Sequence, residues 1–180
     1  MAIKIGINGL GRIGRMIIRS LYENNYNYKD IVIKHINNRS NSETAKQLLQ
    51  YDSIHGKFNC KIKSDKNHII LNNKKITYTQ HTKLEDINWK KYDVDYVLEC
   101  TGKFNSKEKL LPHLKNGAKK VIVSAPCKKT DKTVVFGVNE KVVKKEDKII
   151  SAASCTTNCL APIAQVINDN FIIEKGFMTT

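Results

Sequence analysis

Arginine is scarce in this chain: only 4 of its 31 basic side chains are Arg, and the 27 Lys are strung along the whole sequence. There is no Arg-rich block and no basic stripe interleaved with aromatic residues. The net charge of +14 therefore lacks the patterning of a nucleic-acid surface. The chain is also heavy in Asn and Ile, and the lysine excess reads as part of the same compositional bias, most of it solvated. An anionic small molecule is the better use of what positive charge remains. No apolar run approaches the roughly 18 residues of a membrane span, so a helical integral membrane protein is excluded. Met1-Ala2-Ile3-Lys4 opens directly into a strand pattern rather than a signal peptide. Five cysteines, an odd number at irregular spacing, do not make a disulfide framework, and a cytoplasmic location fits them best. Cys155 and Cys159 would share a helix face, but no second ligand pair at zinc spacing accompanies them, so no metal is expected. Internal repeats and low-complexity linkers are absent as well.

What is there describes an ordinary globular protein: 180 residues, 41% hydrophobic and 27% charged, enough for one good core and the beginning of a second. Ile3-Lys4-Ile5-Gly6-Ile7-Asn8 reads as a short buried strand, and Met16, Ile17, Ile18 and Leu21 as a helix that breaks near Asn24-Asn25. Between them stands Gly9-Leu10-Gly11-Arg12-Ile13-Gly14, a G-x-G-x-x-G run with a strand before it and a helix after it. Gly9 permits the tight turn, Gly11 admits a pyrophosphate to the backbone, and Gly14 lets helix and strand pack closely. Arg12 and Ile13 begin the helix and offer N–H donors with a favourable dipole.

Further strands are expected at 31–37, 60–62, 69–71, 76–78, 94–100, 121–126, 134–138 and 149–150. Asn72-Asn73 marks a hairpin turn, and helices open at Ser42-Glu43 and at Ser106, the latter stopping at Asn116-Gly117. Strands separated by helices at this rhythm predict an α/β fold, a doubly wound, mostly parallel Rossmann-type sheet. Strand-end positions make Thr101 and Gly102 candidate cofactor contacts, and Ser124 is another small polar residue at a strand's end. The second strand runs into Asn37-Asn38-Arg39-Ser40, without the acid that usually holds an adenine ribose. An amide can still bond a hydroxyl, but nothing there repels a 2′-phosphate. NADP, or tolerance of both cofactors, follows if Arg39 faces the ligand, and nothing follows if it faces water. The lysine runs at 119–120, 128–129 and 144–145 read as solvated loops, and residues 171–180 as the start of a new strand.

The chemistry is expected at Ser151-Ala152-Ala153-Ser154-Cys155-Thr156-Thr157-Asn158. An apolar strand runs into small residues, then a cysteine in the first turn of a helix. Unpaired N–H groups and the helix dipole there stabilise a thiolate and raise its reactivity. Ser154, Thr156, Thr157 and Asn158 could hold a phosphate or an oxyanion. Of the five histidines, none is placed near Cys155 by any motif.

These residues resemble phosphorylating glyceraldehyde-3-phosphate dehydrogenase. The resemblance is carried by residues 5–15, Tyr51-Asp52-Ser53 with His55-Gly56, Glu99-Cys100-Thr101-Gly102, Ser124-Ala125-Pro126 and Gly137-Val138-Asn139. Above all it is carried by Ala153-Ser154-Cys155-Thr156-Thr157-Asn158-Cys159-Leu160-Ala161-Pro162. It implies a dinucleotide-binding domain over 1–153 and the start of an α+β catalytic domain over 154–180. Cys155 would be the nucleophile, and Ser154 and Thr156 would help hold a sugar-phosphate aldehyde or inorganic phosphate. Arg12, Ile13, Asn38 and Ser124 would line NAD or NADP. A homotetramer in the cytoplasm is implied, with no membrane or nucleic-acid partner. Asn38 replaces the family's usual aspartate, and Thr82 stands where some members carry an arginine. Family chains are nearly twice as long, with the base histidine two residues beyond a Met-Thr-Thr segment that here is Met178-Thr179-Thr180. An inactive fragment is therefore expected. Alternatives are an erythrose-4-phosphate dehydrogenase paralogue and a non-catalytic dinucleotide- or RNA-binding module.

Overall fold

The computed structural model describes residues 2–23 and 30–180; the break expected at Asn24-Asn25 lies outside them. The alternation of apolar runs yields strands β1 (Ile3–Asn8), β2 (Ile31–Asn37), β3 (Tyr51–Asp52), β4 (Gly56–Lys57), β5 (Ile62–Asp65) and β6 (His68–Leu71). After them come β7 (Lys74–Thr79), β8 (Tyr96–Glu99), β9 (Lys120–Val123), β10 (Lys132–Thr133) and β11 (Ile149–Ser151). The helices are α1 (Arg12–Glu23), α2 (Ser42–Gln50), α3 (Lys107–Lys115) and α4 (Cys155–Phe171). Nine strands form one sheet in the order β10-β11-β9-β8-β1-β2-β7-β6-β5. Every pair from β10 to β7 is parallel, and the β7-β6-β5 end is antiparallel. The antiparallel end follows from the tight turn at Asn72 and Asn73, both left-handed (φ 46° and 66°), a conformation asparagine tolerates and a two-residue hairpin needs.

β1 lies at the centre of the sheet order; Ile5 and Ile7 enter the core shared with α1 and α2, while Gly6 faces Trp89 and Val94. Ile5, Ile7, Ile33 and Ile36 pack with Ile18 of α1, Leu49 of α2 and the hairpin's Ile69, Leu71 and Ile76. A second core joins Trp89, Val97, Leu110, Val121 and Ile149 on the other side. Arg19 is buried in the first core without a carboxylate: it donates to the carbonyls of Leu49, Gln50, His55 and Gly56 and lies 5.2 Å from the Phe58 ring centre. Four carbonyl dipoles thus satisfy a buried guanidinium and pin the β3–β4 turn to α1.

Three expectations change. No strand forms over the expected 134–138: the short β10 lies just before it, the pairing with β11 ends with the bond from Val134 N to Ser151 O, and the chain then turns at 136–139. No strand forms over 172–180; the helix instead runs on to Phe171. Lys120 is not a solvated loop residue, since it begins β9 and its Nζ donates to the carbonyls of Lys144, Lys145 and Asp147. No helix among the described residues is long and apolar enough to cross a membrane.

Candidate functional site

The chain leaves β1 towards β2 on one side and returns to β8 on the other, so a crevice opens above the carboxyl ends of these strands. A cleft of about 250 Å³ lies there, lined by Asn8, Gly9, Leu10, Gly11, Asn37, Asn38, Arg39, His81, Thr82, Leu84, Cys100, Thr101, Lys103 and Phe104. No carboxylate lines it, whereas Arg39 and Lys103 do, and an anionic ligand suits that lining. The glycines show where a ligand fits. Gly9 has φ +97° and an added Cβ would meet Thr101 at 2.9 Å; one on Gly14 would sit 2.1 Å from Gly9 O. Both hold the turn closed. A Cβ on Gly11 meets only Cys100 O, at 4.0 Å, so that glycine fronts open space. A diphosphate fits above it, against the first turn of α1, where Arg12, Ile13 and Gly14 carry N–H groups without intrahelical partners. Arg12 also reaches Asp52 at 3.5 Å, whose carboxyl is held below its usual range chiefly by the backbone N–H groups of His55 and Ile54.

At the end of β2 the structure gives Asn38 a structural duty. Its Oδ1 accepts from Leu10 N (3.1 Å), and its Nδ2 donates to Ser40 Oγ (2.7 Å) and Tyr78 OH (3.3 Å). Arg39, exposed beside it, stands with Lys103 as a cation of the cleft lining.

Under the cleft lies a buried polar frame. Glu99 Oε2 accepts from Asn8 Nδ2 (2.6 Å) and His113 Nε2 (3.0 Å), and its Oε1 from the backbone and hydroxyl of Thr101. His113 Nδ1 in turn accepts from Trp89 Nε1 at 2.9 Å. The single-sequence reading has no signal for these long-range pairings, although an acid closing the apolar run Val97-Leu98-Glu99 is itself conspicuous. Asn8 and Asn37, also missed, could have been found as polar residues at strand ends. Cys100 beside them stays a thiol: burial first, with the Glu99 charge adding to it, pushes it up to about 12 against a bond from Ser124.

The nucleophile candidate sits elsewhere along the same edge. β1, β8, β9 and β11 are parallel, so the Gly9–Gly11 turn, Thr101-Gly102, Ser124 and residues 152–154 all follow carboxyl ends on one side. Ser124 does not line the cleft; it lies one strand beyond, its N donating to Glu99 O. Cys155 follows β11, three strand spacings from β1, about 14 Å. Ala153 bends the chain there with φ 61°, a left-handed strain that costs an alanine about 1 kcal/mol or more. The turn is braced to hold it: Ala152 N bonds to Val123 O, and Asn158 Nδ2 donates to Ala152 O (2.7 Å) and Ser154 O (2.8 Å). Ser154 caps α4, its Oγ accepting from Thr157 N at 3.0 Å. Cys155 and Thr156 are thereby the first two helical residues, and their N–H groups have no partner within the helix. Cys155 is exposed. The histidines are engaged elsewhere: His35 and His113 are buried beneath the cleft, His68 pairs with Asp65, His81 lines the cleft and His55 follows β3. Among the described residues no cluster of His, Cys, Asp and Glu could hold a metal ion.

Comparison with known proteins matches this arrangement. The family model "Glyceraldehyde 3-phosphate dehydrogenase, NAD binding domain" fits residues 3–107, and that of the C-terminal domain of the same enzyme fits residues 154–180. The chain is 44% identical over 180 residues to glyceraldehyde-3-phosphate dehydrogenase of Cereibacter sphaeroides, covering 100% of this chain and 53% of the relative. Against glyceraldehyde-3-phosphate dehydrogenase 2 of Bacillus subtilis the identity is 44% over 181 residues, covering 100% and 52%. Against the Mycoplasma pneumoniae enzyme it is 45% over 179 residues, covering 99% and 52%. The chain thus spans about half the length of the curated relatives it matches. A Rossmann sheet with a glycine cradle, matched by the NAD-binding model over more than half its residues, belongs to the glyceraldehyde-3-phosphate dehydrogenase family.

Proposed function

We propose that this chain supplies the dinucleotide-binding part and the nucleophile of a phosphorylating glyceraldehyde-3-phosphate dehydrogenase that works in the cytoplasm as a homotetramer. The observation that carries the reading is that Cys155 opens α4 on the same sheet edge as the glycine cleft. The cleft and α1's first turn bind the diphosphate through Gly11, Arg12, Ile13 and Gly14, with Asn38 and Thr101 as walls. Gly102 and Ser124 continue the edge towards Cys155.

The Cys155 thiolate adds to the aldehyde carbon of glyceraldehyde 3-phosphate, and the N–H groups of Cys155 and Thr156 receive the developing alkoxide. When bound, the oxidised nicotinamide supplies the hydride acceptor that turns the Cys155 adduct into a thioester. Ser154 and Thr156 hold inorganic phosphate, whose oxygen attacks the thioester carbon; the C–S bond breaks, the acyl phosphate leaves and the thiolate is restored. Phosphate-dependent nicotinamide reduction with glyceraldehyde 3-phosphate, by a protein that carries this chain together with a general base, is the expected result. Its absence in a folded, dinucleotide-bound protein refutes the reading.

For the cofactor we infer NAD with tolerance of NADP. Asn38 spends its amide on Ser40 and Tyr78, no acid repels a 2′-phosphate, and Arg39 stands at the mouth. Titration with both dinucleotides is expected to give affinities within about tenfold; a preference for NAD beyond about a hundredfold contradicts it.

A further inference from the structure

The buried frame beneath the cleft has an internal logic that fixes every hydrogen in it. An indole N–H can only donate, so Trp89 Nε1, 2.9 Å from His113 Nδ1, leaves that nitrogen a lone pair. The imidazole proton is therefore on Nε2, pointing at Glu99 Oε2, 3.0 Å away. Asn37 Oδ1 is taken by His81 N (2.9 Å) and Thr79 Oγ1 (2.9 Å), so Asn37 donates through Nδ2 to Asn8 Oδ1, also 2.9 Å. Asn8 must then turn its own Nδ2 to Glu99. Thr101 directs both its backbone N–H and its hydroxyl at Glu99 Oε1, and its oxygen accepts from Lys103 N at 3.2 Å. Four donors converge on one carboxylate that no Lys or Arg among the described residues neutralises, and two of the residues supplying them, Asn8 and Thr101, line the cleft.

We propose that Glu99 is a positioning residue for the dinucleotide: with His113 it draws the donors of Asn8 and Thr101 inward, so that the cleft wall offers a phosphate none of them and the ligand is steered to the first turn of α1. The inference rests on the dinucleotide reading above. Glu99 touches no ligand itself. Its carboxylate is needed because it accepts on both oxygens. The isosteric Glu99→Gln can keep Asn8 and His113 on its carbonyl, but then its amide N–H₂ meets the Thr101 N–H, donor against donor. Thr101 and the following Gly102-Lys103 must then move away from the wall.

The test is a titration with NAD⁺ of the parent and four variants, joined to ¹⁵N and ¹H NMR of His113 and the Thr101 amide. The parent is expected to show His113 protonated on Nε2, and a Thr101 amide proton shifted downfield by its bond to the carboxylate. Glu99→Gln is expected to raise the Kd for NAD⁺ about tenfold and move the Thr101 amide upfield. His113→Leu is expected to weaken binding similarly, and His113→Gln, which can accept from Trp89 and donate to Glu99, to recover most of the loss. Thr101→Val removes one donor at a half-exposed site without endangering the fold, and is expected to raise Kd about threefold. It therefore decides the matter should Glu99→Gln not fold. NAD⁺ binding by folded Glu99→Gln or Thr101→Val within the error of the parent value, or a His113 proton on Nδ1, overturns the proposal while leaving the dinucleotide reading intact. A folded parent that does not bind NAD⁺ overturns the reading itself, and the proposal with it.

Discussion

The two ends of the candidate site are built in opposite ways. The cleft is a product of the sheet: its turn is closed by glycines that admit no Cβ, and its floor is a hydrogen-bonded frame packed between two apolar cores. The nucleophile helix is set only at its first turn. None of the residues of α4 is buried, and Leu160, Ile163, Val166, Ile167 and Phe171 remain exposed, Phe171 at 81%. Nothing among the described residues covers this apolar face. A cofactor cleft can thus be completed by one sheet, whereas a helix that presents a nucleophile gains its orientation from the cap and its stability from whatever packs along it.

The difference predicts that chemistry and cofactor binding separate cleanly. In a protein that carries this chain together with a general base, as proposed above, Cys155→Ser is expected to lower dehydrogenase turnover by on the order of 10⁴-fold or more. NAD⁺ affinity should stay within about twofold of the parent, because Cys155 is three strands from the cleft centre. Calorimetric titration beside a turnover assay checks both, and a large loss of affinity breaks the comparison.

Stability should divide the same way. Gly14→Ala forces a Cβ to 2.1 Å from Gly9 O and is expected to cost about 3 kcal/mol. Val166→Ala, at a position 63% exposed, is expected to change stability by no more than about 0.5 kcal/mol. Denaturant unfolding of the two variants measures the gap. An equal cost for Val166→Ala would mean that α4 is packed after all.

Acid sensitivity belongs to the sheet. His35 is held down from 6.5 to about 3, first by burial and second by the charge of His81. Its ring is stacked on Tyr92 with centroids 3.7 Å apart. The unfolded chain takes up a proton at His35 below 6.5 and the folded one does not until about 3. Stability is therefore whole above 6.5 and falls as the pH drops towards 3. Thermal unfolding in the upper part of that window, above the carboxylate range, should show a slope that His35→Gln flattens. An unchanged slope would refute it.

Much of this was legible in the sequence wherever local pattern decides. The strand at Ile3–Asn8, the glycine turn and the helix after it are fixed by periods of 2 and 3.6 and by what only glycine can do. The strain at Ala153 and the brace of Ala152 N on Val123 O were not legible, because they depend on β9 and β11 lying side by side. The strand expected at 134–138 failed because pairing with β11 ends at Val134; of the apolar residues there Val135 is buried while Phe136 lies exposed in the turn. His113 stands in no motif in the sequence. Its partner Glu99 is 14 residues away and its other partner, Trp89, is 24 away, distances that only the fold closes.

The most direct test of the dinucleotide cleft uses Gly11, the one glycine of the turn whose Cβ would meet almost nothing. An added side chain there touches the protein only at Cys100 O, 4.0 Å away, so Gly11→Val should melt like the parent while filling the space reserved for a diphosphate. NAD⁺ titration of the two proteins, with thermal unfolding as the control, is expected to show binding by the parent and a loss of about a hundredfold in the variant. Equal binding by Gly11→Val, with the fold intact, would place the dinucleotide elsewhere and contradict the account.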